Sequence, residues 1–367
     1  MRLTLLVLTI DGKEELPRSL PELAGIADEL VIGVDDSTTD ASEEIGRRFT
    51  DRVYPVAHAG FGGCGRPEDL NPIECMLPYC RGDWVLRIDH DETLSPLWHD
   101  RNYVAELLAD RYATHYWLPR RWAVPPGDRY IWNRHWFPDY QLRMFRNIPS
   151  LINFNRTPHA PLSLRGEPRH LADSWLIHWD YVWHDRQTRE AKVEFYRELR
   201  SYTAKEFYLY EEQSYDTRPL NYTIDAAPPA LNSSGNGGPF DALLEIVECP
   251  ARMPAGEIAP VTIRITNRSD RMFWPHSVGV YAANVMAAYH WYPTGGAPQP
   301  EWFEGKRHPM PKRVSPGESV LLFLGVEAPA RPGDYFFEPD LVEEGVAWFS
   351  SHNAVPSCPV HVTAAYE

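Results

Sequence analysis

Four apolar runs punctuate the first ninety residues: 3–10 (LTLLVLTI), 29–35 (ELVIGVD), 51–57 (DRVYPVA) and 84–89 (WVLRID). None alternates apolar with polar along its length, so each predicts a strand covered on both faces, as in a parallel sheet. The stretches between them, 14–27, 41–50 and about 68–80, suit helices, the second behind a capping box from Asp40 to Glu43. Strand and helix alternate, which predicts a mostly parallel, Rossmann-like α/β sheet for this half.

From 112 to 180 the chain turns rich in Trp, Tyr, Arg, Pro and His, with shorter strand-like pieces. A helix follows from near Arg186 to Glu211, with Val193, Tyr196, Leu199, Thr203, Phe207 and Tyr210 on one face for packing against the first domain. Residues 226–239 (AAPPALNSSGNGGP) have almost nothing to bury and mark a boundary. Beyond them LLEIVE, VTIRITN, VGVYAANVMAAYHW, SVLLFLGVEAP, GDYFFEPDLV and CPVHVT read as short strands separated by turn signals, a β-sandwich. The expected organisation is a first domain over 1–225, a linker over 226–239 and an all-β domain over 240–367.

A chain of 367 residues is long enough for two cores, in keeping with that division. The net charge of −15 argues against nucleic acid as the main partner, while leaving room for an anionic ligand held through a metal. The N-terminus shows no basic segment or cleavage site, and no apolar run approaches a membrane span, so a soluble, cytoplasmic protein is expected. Cys64, Cys75 and Cys80 lack zinc-site spacing, and Cys249 and Cys358 are far apart, so all five read as reduced structural thiols. The sequons at Asn221, Asn232 and Asn267 read as chance matches.

Ligands of open α/β sheets bind outside the carboxyl ends of the strands. That rule gathers Asp11 after the first strand, Asp35 and Asp36 after the second, and Asp89 and Asp91 after the fourth. Asp89 and Asp91 are two apart, so in an extended segment both side chains point the same way. Carboxylates held so close resist joint ionisation unless a cation lies between them, and hard Mg2+ or Mn2+ is the expected cation.

With those positions fixed, LTLLVLTIDGKEELPRSL, ADELVIGVDDSTTDASEEI and NPIECMLPYCRGDWVLRIDHDETLSP resemble, in order and spacing, the three leading blocks of family-2 glycosyltransferases of the GT-A fold, over about residues 1–180. The resemblance implies a nucleotide-sugar donor held by Thr9, Asp11, Asp35, Arg66 and Asp89, with Asp35 on the nucleoside. It also implies a divalent Mn2+ or Mg2+ ion on Asp91, with Asp89 beside it. Asp11 stands where the family has Asn, and Ile10 replaces the Tyr before it. The stretch GFGGCG at 60–65 satisfies the dinucleotide fingerprint literally, but it follows the third strand rather than the first, and reads as a donor-side loop with Arg66 near the diphosphate.

Transfer also needs a base for the acceptor hydroxyl. Asp139 in RHWFPDYQLRMFRN, similar to the family's P-D-x-x-x-R-x-F segment, is the candidate, with Arg143 and Arg146 as partners for it, for phosphate or for solvent. His159 and His178 lie where related transferases place a metal-binding His. Trp117, Trp122, Trp132, Trp136, Trp175, Trp179 and Trp183 crowd this half, mostly as core or lid residues. The last domain resembles immunoglobulin-like modules appended to bacterial surface-polysaccharide enzymes, with Trp274, Trp291, Trp302 and Trp348 as exposed aromatic candidates for glycan or subunit contacts, the latter giving a homo-oligomer. The resulting expectation is an inverting, metal-dependent glycosyltransferase acting on a glycan, lipid-linked or small-molecule acceptor. Its rivals are a silent glycan-binding protein and a nucleotidyltransferase of related fold, the latter disfavoured because TIDGKEELP lacks a Gly-rich basic loop.

Overall fold

The computed structural model describes residues 1–56, 71–132, 136–137, 139–154, 162–198, 208–209, 216–222, 238–274, 285–294, 305–343 and 346–364. It divides into two units, Met1–Ile131 with Asp139–Tyr222, and Trp132–Pro138 with Thr223–Glu367.

The first unit opens with β1 (Leu3–Thr9), α1 (Leu16–Leu23), β2 (Glu29–Asp35), α2 (Ser42–Arg47), β3 (Val53–Val56) and α3 (Pro72–Met76), then β4 (Trp84–Asp89), β5 (Glu92–Leu94) and α4 (Arg101–Ala109). The strands fall on the four apolar runs because both faces are covered. Leu3, Leu5 and Val7 pack on one side with Leu16, Leu20 and Leu23 of α1, whereas Leu6 packs on the other with Ile73 and Met76 of α3. That alternation is the period of two expected of a strand, and the spacing of Leu16, Leu20 and Leu23 is the stripe of a helix. Helix α3 starts where Asn71 accepts from the Ile73 and Glu74 N–H groups at 3.0 and 3.3 Å, with Pro72 in its first turn. At α2 the expected capping box does not form. Asp40 accepts from the Ser42 N–H at 2.9 Å, but Glu43 turns to Arg47 at 2.7 Å instead of reaching back.

The chain continues through β6 (Ala113–Val124), β7 (Arg129–Ile131), β8 (Asp139–Arg146), β9 (Ile152–Phe154), β10 (Leu162–Leu164), β11 (Glu167–His170) and β12 (Leu176–His178). Helices α5 (Asp180–Trp183) and α6 (Arg186–Glu198) and strand β13 (Thr217–Pro219) complete the unit. The main sheet runs β13-β7-β6-β8-β4-β1-β2-β3. Strands β3, β2, β1 and β4 are parallel, and β8 joins β4 antiparallel. From β1 the chain moves outward to β2 and β3, then returns to place β4 on the opposite side of β1. The gap between the carboxyl ends of β1 and β4 is therefore a topological switch point, where such sheets bind ligands. The long helix expected over 186–211 is described as α6 to Glu198. Among its described side chains Lys192 is buried and Val193 half-buried, while the side chain of Tyr196 and the stripe from Leu199 to Phe207 and Tyr210 lie outside the described residues. Among the described residues no helix is long and apolar enough to cross a membrane.

In the second unit, β14 (Ala242–Glu248), β15 (Arg252–Pro254), β16 (Ile258–Asn267), β17 (Val285–Pro293), β18 (His308–Pro309), β19 (Ser319–Glu327), β20 (Gly333–Glu343), β21 (Ala347–Trp348) and β22 (Cys358–Thr363) form two sheets. One runs β14-β16-β19, the other β15-β22-β20-β17-β18 with β21 on β20. Val261, Ile263 and Ile265 of the first and Val285, Ala287, Tyr289, Trp291, Phe337 and Leu341 of the second share one core. Trp291, expected to be exposed, is 3% exposed and donates its indole N–H to the Glu327 carbonyl at 2.9 Å. Its position alternates with His290 and Tyr292 on β17, so strand period rather than residue type decided its side. Trp274 and Trp348 are half-buried beneath Arg313 and Arg307, and Trp302 lies outside the described residues.

His308 makes the second unit sensitive to acid. Its Nε2 accepts from the Gly325 N–H at 3.1 Å and its Nδ1 faces the Lys306 carbonyl at 3.0 Å, an arrangement that requires the neutral ring. Burial pushes its pKa down to about 4. A folded-state pKa below the unfolded value gives stability that is complete above about pH 6.5 and is lost as pH falls toward 4. His308→Gln keeps the acceptor and does not titrate. The stability difference between wild type and this variant, read by thermal unfolding, is expected to change by about 2 kcal/mol between pH 7 and pH 4, with wild type losing more.

Candidate active site

Register sets the edge. Leu8 lies opposite Asp89, and Thr9 opposite Val34, which brings Thr9, Asp35 and Asp89 to adjacent carboxyl ends. Thr9 Oγ1 and His90 Nδ1 are 2.8 Å apart, a hydrogen bond that ties the ends of β1 and β4 across the switch point. Gly12 permits this closeness, since a Cβ there would stand 2.3 Å from Thr9 Oγ1 and 3.0 Å from His90 Nδ1. Asp11 takes a left-handed backbone conformation, φ 44°, and its Oδ1 accepts from the Thr39 N–H at 2.8 Å, so it fixes the loop after β1. Asp35 is buried and accepts from the Ser37 N–H and hydroxyl at 2.9 and 2.6 Å.

Strand β4 ends at Asp89, and His90 and Asp91 form a turn. The extended geometry assumed for the pair is thus absent, and the two aspartates join different groups. Asp89 belongs to a chain of alternating charge. Arg120 Nη2 lies 2.7 Å from Asp139 and its Nη1 lies 3.7 Å from Glu92; Arg143 contacts Glu92 and lies 3.0 Å from Asp89, which also contacts Arg87. Glu92 is wholly buried, and burial together with the neighbouring Asp89 pushes its carboxyl well up. Arg146 stands apart from this chain, donating to the Ala113 and Asp110 carbonyls at 2.7 Å each and lying over Trp84.

Asp91 belongs to a second chain. The Trp179 N–H donates to the Asp91 carbonyl at 2.9 Å, seating the start of α5 on the turn. Lys192 Nζ lies 3.4 Å from Asp91 Oδ2 and contacts Asp180 Oδ1; Asp180 Oδ1 is 2.8 Å from His184 Nδ1, and His184 Nε2 is 2.7 Å from Glu15 Oε1. Acid and base alternate again: Asp91, Lys192, Asp180, His184, Glu15. Burial disfavours the charge on His184, but hydrogen bonds to Asp180 and Glu15 outweigh it and push its pKa up to about 9. Burial likewise opposes ionisation of Asp91, yet His178 and Lys192 hold it well below the usual carboxylate range. His178 Nε2 is 3.6 Å from Asp91 Oδ2, and burial lowers its own pKa to about 4. At neutral pH the positive charge near Asp91 is therefore carried by Lys192 and His184 rather than by His178.

Asp139 is closely held. Its Oδ2 accepts from Arg120 Nε at 2.8 Å and Trp122 Nε1 at 3.1 Å, and its Oδ1 from Gln141 Nε2 at 2.7 Å. Arg66, His159 and the GFGGCG stretch lie outside the described residues. Sequence reasoning missed Glu15, Arg120, Asp180, His184 and Lys192. One signal for part of this set was legible: Asp180 and His184 are one helical turn apart in HWDYVWHD.

The donor set was tested against the divalent ion that the resemblance implies. Asp91, Asp180 and His184 each offer a ligand atom, all within 4.8 Å of one another, an acidic triad of the spacing a divalent ion takes. Both His184 nitrogens, however, face carboxylate oxygens at hydrogen-bond distance, which makes them donors and leaves no lone pair for a metal. The Lys192 ammonium, 3.3 Å from His184 Nδ1, already meets both aspartates. As arranged, the triad does not fit a divalent ion.

No protein-family model matches the chain, and no curated protein matches it. Among solved structures, S. aureus TarS 1-349 is 13% identical with a TM-score of 0.34, covering 55% of this chain and 66% of that one. The chain thus spans just under two thirds of that fragment. Full S. aureus TarS is 10% identical with a TM-score of 0.36, over 99% of this chain and 78% of that one. Glucosyl-3-phosphoglycerate synthase from Mycobacterium tuberculosis, in complex with Mg2+ and uridine-diphosphate, is 21% identical with a TM-score of 0.24, over 33% and 43%. At these identities and TM-scores the likenesses are coarse.

Arg143 bridges Glu92 and Asp89, whose other cations are Arg120 at 3.7 Å and Arg87. Arg143→Met is expected to cost about 3 kcal/mol in urea unfolding, because removing one partner strands buried charge. Adding Glu92→Gln is expected to restore at least half of that loss; an additive double variant would show the two side chains to be uncoupled.

Proposed function

We propose that the first unit is a GT-A-type glycosyltransferase that moves a sugar from a nucleotide-sugar donor to a glycan, lipid-linked or small-molecule acceptor. The observation that carries this reading is the switch point between β1 and β4, where buried Asp35, Thr9 and the Asp89–Asp91 turn border one edge and Asp139 opens the antiparallel strand beside it. Asp35 receives the nucleoside, Thr9 and Asp11 shape the loop beside it, and Arg66 and Asp89 belong to the diphosphate side. The Mn2+ or Mg2+ of the family's chemistry would call on Asp89 and Asp91, with His178 and His159 as further candidates, but the side chains around Asp91 as arranged do not fit that ion.

Asp139 acts as base through Oδ1, which accepts one hydrogen bond, from Gln141, whereas Oδ2 accepts two, from Arg120 and Trp122. The acceptor oxygen attacks the anomeric carbon as the bond to the diphosphate oxygen breaks; the proton passes to Asp139 and the electron pair leaves with the diphosphate, inverting the centre. The division at 226–239, the immunoglobulin-like character of the second unit and its use in homo-oligomer contacts belong to the same reading.

Calorimetric titration with a panel of uridine, guanosine and thymidine diphosphate sugars tests the donor. One nucleotide is expected to bind, and Asp35→Ala to weaken it at least tenfold; binding by none of them rejects the reading. With an acceptor identified, Asp139→Asn is expected to lower kcat by about 10²–10⁴-fold, the usual contribution of a positioned base, with donor affinity changed less than twofold. Unchanged kcat would remove Asp139 from the role.

A further inference from the structure

The disagreement between the triad and a divalent ion has a definite shape. A cation already lies among Asp91, Asp180 and His184, and it belongs to the chain. Lys192 reaches them from α6 with a side chain 10% exposed, while the side chains of Asp91 and Asp180 are 8% and 0% exposed. A compact ammonium with three donors suits such a pocket, where a planar guanidinium would not. The pocket also holds acceptors beyond those the lysine meets. Asp180 Oδ2, Glu15 Oε2 and the ring nitrogen His178 Nδ1 are buried without a hydrogen-bond partner among the described residues. Taking the ammonium away therefore uncovers the Asp91 and Asp180 carboxylates, oxygen donors of the kind hard divalent ions bind.

We infer that Lys192 is the built-in counter-cation of the Asp91–Asp180 site, and that the ammonium and a divalent ion exclude one another there. Two like charges within a few ångströms between the same carboxylates repel strongly in a buried site, so an ion enters only when the lysine leaves. This inference holds whether or not the first unit transfers sugar, because it concerns occupancy of the site alone.

The test is Mn2+ binding to the chelator-treated full chain, followed by loss of the free-ion signal in electron paramagnetic resonance. Lys192→Met is expected to bind one Mn2+ at least tenfold more tightly than wild type, and adding Asp180→Asn to return the affinity to the wild-type level. Lys192→Met also leaves buried carboxylates uncompensated, so thermal unfolding supplies a second readout. Mn2+ is expected to raise the Tm of that variant by more than it raises the wild-type Tm. Equal or weaker Mn2+ binding by Lys192→Met, or a larger Tm rise in wild type, overturns the inference.

Discussion

The structure of the first unit depends on pairing buried carboxylates with cations drawn from its own chain. Strand β4 carries an apolar run straight into Asp89, Asp91 and Glu92, and two of those three are almost fully buried. Charges removed from water at that depth are tolerated only when each meets an opposite charge or a set of hydrogen bonds. Two alternating chains supply this. One runs Asp139, Arg120, Glu92, Arg143, Asp89, Arg87, and the other runs Asp91, Lys192, Asp180, His184, Glu15. Because each interior link has neighbours on both sides, loss of one disturbs two carboxylates or two cations, and the edge of the sheet is fixed as a unit.

What the sequence discloses follows from how local each interaction is. The strands β1 to β4 were legible because a strand covered on both faces needs an unbroken apolar run. The acidic edge was legible because the end of each strand is marked by the end of its run. The partners of the acids were not. Asp91 and Lys192 are separated by 101 positions, and Glu15 and His184 by 169, so no spacing rule connects them. The turn at His90 and Asp91 was equally hidden, since two residues past a strand carry no period to read. Like charges two positions apart suggested a shared ion, whereas a turn lets each find its own partner.

Tryptophan gave a similar lesson in the second unit. An indole is read from sequence as a candidate surface contact because its ring suits sugars and partners. On β17 the alternation of faces took precedence: Trp291 shares its side with Tyr289 and Ala287 in the core, and its N–H is satisfied by a backbone carbonyl. In α6 the stripe of larger side chains suggested an apolar seam, yet the buried position among described residues is Lys192. This is one of five lysines in a chain that otherwise favours arginine, used where a point charge between carboxylates fits and a fork does not.

The same pairing limits how an anion meets this edge. Each of Arg87, Arg120, Arg143 and Lys192 already faces a carboxylate, so none of these four described cations would meet a diphosphate without leaving a partner. Turning an arginine toward phosphate uncovers the carboxylate it leaves, and the cost depends on how far that carboxylate is from water. Glu92 is fully buried, whereas the Asp89 side chain is 31% exposed and can be rehydrated in place. Of the carboxylates in the first chain, Asp89 is exposed more than the 16% of Asp139, so Arg87, whose partner there is Asp89, is released at less cost than Arg143, which also holds buried Glu92. Asp89 is thus the carboxylate of that chain most open to water, and the arginine contacts it makes are the least buried of the set.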